Sequence, residues 1–174
     1  MSDTTRQQFW NAALKLLSQR PPDFSAVDEL LSQFDDGWDL IRAAKPPGVL
    51  AGLTHPVGGP ALEHGPGPRG FLIQWVPGPP TDIHAHPSLL YMFVISGRLS
   101  VTHYRGPVPL SPEEPVVLMA GQSDHAWADN DRWDNFPHTI ACEQPAWSLH
   151  IYGEDSGQGV RFDADGCPLP PVAP

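Results

Sequence analysis

From about residue 48 onward, Gly, Pro, Asn and Asp cut the chain into short apolar runs, at 71–76, 89–95, 99–104, 115–119, 138–142 and 147–152. Proline removes a backbone donor and fixes φ, so no long helix survives this punctuation. The 22 prolines are scattered between the runs and not gathered into one low-complexity tract. Six or more short strands at this spacing read as a sandwich or barrel, a mainly β fold. Gly97-Arg98 reads as a tight hairpin turn between Ile95 and Leu99, and Glu143-Gln144-Pro145 as a turn before the run at 147–152. No internal repeat is visible.

The first 47 residues have a different texture. Residues 4–19 place Phe9, Ala13, Leu16 and Leu17 on one face at helical spacing, and Pro21-Pro22 stop the run. A second helix is expected to start at Ser25, an N-cap with Asp28 three residues on, and to carry Val27, Leu30, Leu31 and Phe34. It is expected to resume around Trp38 and Ile41 before Pro46-Pro47. Both helices are expected to pack outside the β region. The expected organisation is one domain over 1–174: a helical segment over 1–47, a barrel over 48–165 and a Pro-rich tail over 166–174.

Charge narrows the partners. Twenty acids against ten Lys and Arg give a net charge of −10, which repels nucleic acid and anionic lipid and points to a small molecule. The apolar runs fall short of the ~20 residues of a membrane span, and the Met1-Ser2-Asp3 start lacks the basic and apolar regions of a signal peptide, so the expected location is the cytoplasm. Cys142 and Cys167 are expected as free thiols.

Eight histidines carry the chemistry: His55, His64, His84, His86, His103, His125, His138 and His150. In a strand, residues two apart project to the same face, so the imidazoles of His84-Ala85-His86 can share one metal. The surrounding Pro77-Gly78-Pro79-Pro80-Thr81-Asp82-Ile83-His84-Ala85-His86, with Gly97 eleven residues later, resembles the first motif of the cupin superfamily. That resemblance implies a double-stranded β-helix (jelly-roll) barrel with a metal in its mouth. Cupins usually add a glutamate a few residues on; here the same-face position is Leu90, which cannot bind a metal.

One branch of the superfamily, the cysteine dioxygenase-like thiol dioxygenases, lacks the glutamate and uses three neutral histidines. Pro145-Ala146-Trp147-Ser148-Leu149-His150-Ile151-Tyr152 resembles the Ser-x-His-x-Tyr strand beside the iron in that family. The resemblance covers roughly residues 5–165 and is specific at the His pair and this last strand. It implies metal ligands His84, His86 and a third histidine. His138 is favoured; the rival is His125, in Gly121-Gln122-Ser123-Asp124-His125. It also implies Fe(II), with another divalent ion such as Ni(II) compatible with three imidazoles. Small thiol and O2 are the implied reactants and a sulfinate the product. Tyr152 would contact substrate or oxygen, oriented by His150 and Ser148.

Two departures bear on substrate. The cysteine that is thioether-linked to the tyrosine in animal cysteine dioxygenases falls on Leu90. The arginine that grips the substrate carboxylate falls near Leu53-Thr54-His55, where His55 is a weaker, pH-dependent partner. Arg69, Arg98 or Arg105 could stand in. A cupin that binds a small ligand without turnover is the alternative from another class. A cupin isomerase or hydrolase would need a carboxylate in the barrel, for which Glu63 and Asp82 are nearest. Residues 61–68 have the composition of a flap over the barrel mouth.

Overall fold

The computed structural model describes residues 11–33, 57–58, 69–130, 132–153 and 159–170. Two helices, α1 over residues 11–17 and α2 (Phe24–Ser32), precede eleven strands. The strands are β1 (Val57–Gly58), β2 (Arg69–Trp75), β3 (Ile83–His86), β4 (Leu89–Ser96), β5 (Arg98–Arg105), β6 (Ser111–Pro112), β7 (Val116–Met119), β8 (Ser123–Trp127), β9 (Asn135–Ala141), β10 (Ala146–Tyr152) and β11 (Arg161–Phe162). All pairing is antiparallel.

One sheet runs β1-β2-β10-β4-β8 and the other β11-β3-β9-β5-β6, with β7 also on β5. Apart from β5 and β7, which pair with each other, the longer strands alternate between the sheets in chain order, which gives facing arrays β2-β10-β4-β8 and β3-β9-β5-β7. That is the jelly-roll order, a double-stranded β-helix. Its apolar floor is Ile73, Trp75, Met92, Val94, Leu99, Val101, Leu118, Ile140, Cys142 and Ala146. The helices pack Ala13, Leu17, Val27 and Leu31 against Leu72, Tyr91, Phe93, Leu149 and Ile151 on the outside of the first sheet. Alternation along β10 therefore sends Leu149 and Ile151 outward and leaves Ser148, His150 and Tyr152 to the barrel interior.

Three expectations change. Gly97 does not close a hairpin, because β4 and β5 lie in different sheets. The residue is a corner at φ +75, and a Cβ there would lie 2.5 Å from the carbonyl oxygen of Pro145, so two sheet-to-sheet crossings touch at this point. The N-cap of α2 is Asp23, which accepts from the Ala26 amide at 3.1 Å, and not Ser25. Asp28 belongs to no capping box: its carboxylate accepts from the hydroxyls of Tyr91 (2.6 Å) and Ser123 (2.9 Å) and ties α2 to β4 and β8. β8 was not expected as a strand. The helical continuation around Trp38 and Ile41, the flap at 61–68, His55 and Glu63 lie outside the described residues. No helix among the described residues is long and apolar enough to cross a membrane.

Candidate metal centre

β3 is four residues long and pairs His84 with His138 of β9; the register slips before His86, which lies opposite Asn135. The bulge re-aims the pair without turning either ring out of the barrel. Ring centroids are 5.0 Å apart for His84 and His86, 4.6 Å for His84 and His138, and 4.9 Å for His86 and His138. One ligand-capable nitrogen from each lies within 4.8 Å of the others, close enough for one ion to hold all three.

Protonation follows from the neighbours. Nδ1 of His84 stands 2.9 Å from the Asp82 carbonyl and Nδ1 of His138 stands 3.0 Å from the Phe136 carbonyl. A carbonyl only accepts, so both Nδ1 atoms carry hydrogen and Nε2 is the nitrogen left to coordinate. Phe136 holds its carbonyl there with φ at 55, a left-handed conformation uncommon for a bulky residue. His86 is 2% exposed, and neither of its ring nitrogens has a hydrogen-bond partner. A buried imidazole with two orphaned nitrogens costs about 1–3 kcal/mol unless something coordinates it. Burial, and then the nearby His84, push His86 and His138 well below the ordinary histidine range. Converging imidazoles, with His86 and His138 held neutral by burial and His86 unpartnered, fit a divalent metal, and no carboxylate joins them among the described residues.

Beside this group runs a buried relay. Trp75 Nε1–H donates to Ser148 Oγ at 2.7 Å, Ser148 Oγ lies 2.8 Å from His150 Nε2, and His150 Nδ1 lies 2.9 Å from Tyr152 Oη. Indole is a donor only, so Ser148, with no exposed surface, sends its own hydrogen to His150 Nε2. Nδ1 then donates to the tyrosine oxygen, and the tyrosine's hydrogen is turned away from His150. Burial lowers His150 to about 3, keeping it neutral, and raises Tyr152 above the ordinary phenol range. The Tyr152 ring stacks on His86 at 4.7 Å, which joins relay and histidines into one site.

Comparison with known proteins finds similarity to several solved structures. A cupin superfamily protein of Desulfitobacterium hafniense matches 62% of this chain and 84% of its own, at 14% identity and TM-score 0.47. A DMSP lyase of Ruegeria pomeroyi matches 52% of this chain and 40% of its own, at 16% identity and TM-score 0.40. Bacillus subtilis oxalate decarboxylase, a Mn(II) protein, matches 52% of this chain and 22% of its own, at 16% identity and TM-score 0.40. No protein-family model and no curated protein matches the chain. The strand order decides the fold. This is a jelly-roll barrel, a double-stranded β-helix.

On that barrel the remaining candidates are dispersed. His125 lies on the outer face of β8, exposed, 4.1 Å from the ring of Phe24 on α2, so the rival third histidine points away from the cluster. Leu90 is buried at 2% and stands in register with Tyr152 on the neighbouring strand. The Arg69 backbone pairs with Tyr152 from the other side. Arg98 pairs with Glu143, Arg105 with Glu113, and Asp82 with Arg161, all near the surface. Neither Arg98 nor Arg105 is a guanidinium facing the histidines. Sequence reading gave no role to Trp75, Phe136, His103 or Asp124. The last two meet at 3.3 Å inside the seam between β5 and β8, where the Asp124 carboxylate raises His103 above its ordinary range.

Proposed function

We propose that this cupin is a mononuclear metal-dependent oxygenase that oxidises the sulfur of a small thiol with O2 to a sulfinate. The observation that carries the reading is the convergence of three imidazoles, joined by no carboxylate among the described residues, against a tyrosine held by a Ser-His relay. His84, His86 and His138 would hold the ion, with Fe(II) the first expectation and Ni(II) compatible with the same donors. When bound, such a metal supplies redox equivalents and positions at which a thiolate and O2 can meet.

The chain's own residues supply the rest. Three uncharged ligands leave the full positive charge of the ion to an anionic sulfur, and a carboxylate ligand would have reduced it. Burial of His86, His138, His150 and Tyr152 excludes water that would compete for the site. The relay presents the Tyr152 hydroxyl as a fixed donor, because Trp75 sets the direction of every hydrogen bond behind it. In the net reaction, RSH and O2 give RSO2H; sulfur loses four electrons and the two oxygen atoms gain them.

Cysteine or a cysteine derivative is the starting expectation for substrate. A different thiol within the same reaction class is the alternative. Oxygen uptake by the metal-loaded protein across a panel of thiols, with mass spectrometry of the products, tests the proposal. A gain of two oxygen atoms on one thiol is the expected result. No uptake with any thiol would sink it and leave a ligand-binding cupin.

A further inference from the structure

β9 carries one residue more than the strand it pairs with. From His84 to His86 β3 advances two residues, while β9 runs back three, from His138 to Asn135. In an unbroken register Phe136 would stand opposite His86; the extra residue puts Asn135 there and moves Phe136 to the wall of the seam between β5 and β8. The kink is made at Phe136, whose φ of 55 is the left-handed value that a bulge of this kind ordinarily assigns to glycine.

Phe136 is poorly suited to that conformation on two counts. Its Cβ crowds the backbone at positive φ, and the following Pro137 drives the residue before it toward extended backbone. Such a conformation persists only where the surroundings over-determine it. The outcome matters for the metal centre, because it is the Phe136 carbonyl that stands 3.0 Å from His138 Nδ1 and leaves Nε2 to coordinate. A Phe136 relaxed to negative φ would turn that carbonyl away.

The residue just before the kink supplies the restraint. Asn135 and Asn130 exchange side-chain hydrogen bonds: Asn130 Nδ2 donates to Asn135 Oδ1 at 3.2 Å, and Asn135 Nδ2 donates to Asn130 Oδ1 at 3.0 Å. The second Asn135 amide hydrogen goes to the Arg132 carbonyl at 2.9 Å, and the Arg132 backbone amide donates to Asn130 Oδ1 at 2.9 Å. Both amide hydrogens and the carbonyl oxygen of Asn135 are therefore committed to the loop that leads into β9. That loop is anchored in turn. The Trp133 carbonyl accepts from the Val160 amide at 2.9 Å, and the Val160 carbonyl accepts at 2.8 Å from the amide of Ala85, between His84 and His86. Arg132 and Asp134 add a bidentate pair at 2.7 and 2.5 Å.

We infer that Asn135 is a positioning residue for the metal centre: held by Asn130 and the Arg132 carbonyl, it keeps Phe136 left-handed, and through the Phe136 carbonyl it fixes the tautomer and aim of His138 as third ligand. The inference rests on the three-histidine metal reading and adds a residue outside the histidines on which their affinity depends. It is independent of the substrate that the ion serves.

The test is an anaerobic titration of the metal-free full chain with Co(II), followed by its visible ligand-field absorption, beside urea unfolding of the metal-free protein. Asn135→Ala is expected to weaken Co(II) binding about tenfold to a hundredfold, the usual cost of losing a group that orients a ligand. Glycine meets no penalty at φ 55, so adding Phe136→Gly to Asn135→Ala is expected to bring Co(II) affinity back to within about fivefold of the unaltered protein. Ring-nitrogen NMR of metal-free protein is expected to show the His138 Nδ1–H in the unaltered and doubly substituted chains and to lose it in Asn135→Ala. Asn130→Ala, an exposed change outside β9, is expected to weaken binding in the same direction by about threefold or more. Co(II) affinity unchanged in Asn135→Ala or, where that chain does not fold, in Asn130→Ala would overturn the inference while leaving the three-histidine site standing. So would a double variant that folds and binds as weakly as Asn135→Ala alone. An unaltered protein that takes up no Co(II) would remove the metal reading itself, and this inference with it.

Discussion

His86 shows how single residues here trade stability for chemistry. Two orphaned ring nitrogens in a 2% exposed side chain are a cost that an apolar residue of similar size does not carry. His86→Leu is therefore expected to abolish metal uptake while leaving the melting temperature of the metal-free protein unchanged or higher; a clear fall in Tm would mean that the ring is held by contacts of its own. The same buried rings set a pH dependence. His86, His138 and His150 all have folded-state pKa values below the ordinary 6.5. As pH falls through 6.5, the unfolded chain takes up protons that the folded chain refuses. Stability is therefore complete above that point and lost below it, for His150 down to about 3. Each ring contributes a slope of at most about 1.4 kcal/mol per pH unit. His103 works in the opposite sense, since its raised pKa favours the folded state below 6.5. Urea unfolding of metal-free protein between pH 7 and pH 5 is expected to show a net steep loss; a flat profile would mean solvated rings. At the residue scale, period-two spacing alone places His84 with His86, and Ser148 with His150 and Tyr152, whereas His138 was favoured over His125 only through the family resemblance. Trp75 and Asp124 were not legible, because each meets its partner through neighbouring strands, which local spacing does not encode.

At the scale of elements, the sequence marks turns better than it marks the partners those turns join. Gly97 was recognisable as a turn, but a turn residue carries no information on which sheet the next strand enters. Its conformation and the 2.5 Å approach to the Pro145 carbonyl make Gly97→Ala expensive, by about 2 kcal/mol or more in chemical denaturation; a loss under about 0.5 kcal/mol would contradict the corner described here. β8 escaped notice because Ser123-Asp124-His125-Ala126-Trp127 has few of the β-branched residues that announce a strand. Its identity matters, because it sends His125 outward and Asp124 inward. The helix faces were readable from Ala13, Leu17, Val27 and Leu31, whereas the cap at Asp23 lay two residues before the serine that imitates one. Asp28 then serves the junction between α2 and the barrel. Asp28→Ala is expected to cost about 2 kcal/mol by stranding two hydroxyls, with metal content unchanged, since the junction lies on the outer side of the sheet. Loss of metal in that variant would show that the helices brace the site.

For the whole molecule, the jelly roll divides its interior into an apolar floor and a polar mouth, and the division follows position along the strands. On β9, Ile140 joins the floor while His138 joins the site; on β5, Leu99 and Val101 precede His103 in the same way. The polar groups are thus backed by a close-packed floor that resists rearrangement when a ligand enters. The account's central claim is that His84, His86 and His138 together hold one divalent ion. Elemental analysis of freshly purified protein, beside His138→Ala and His125→Ala, tests it most directly. The expected result is about one metal per chain in the unaltered protein and in His125→Ala, and none in His138→Ala. Metal retained by His138→Ala but lost from His125→Ala, or no ion taken up by the unaltered protein even when Fe(II), Ni(II) or Co(II) is supplied, would contradict it.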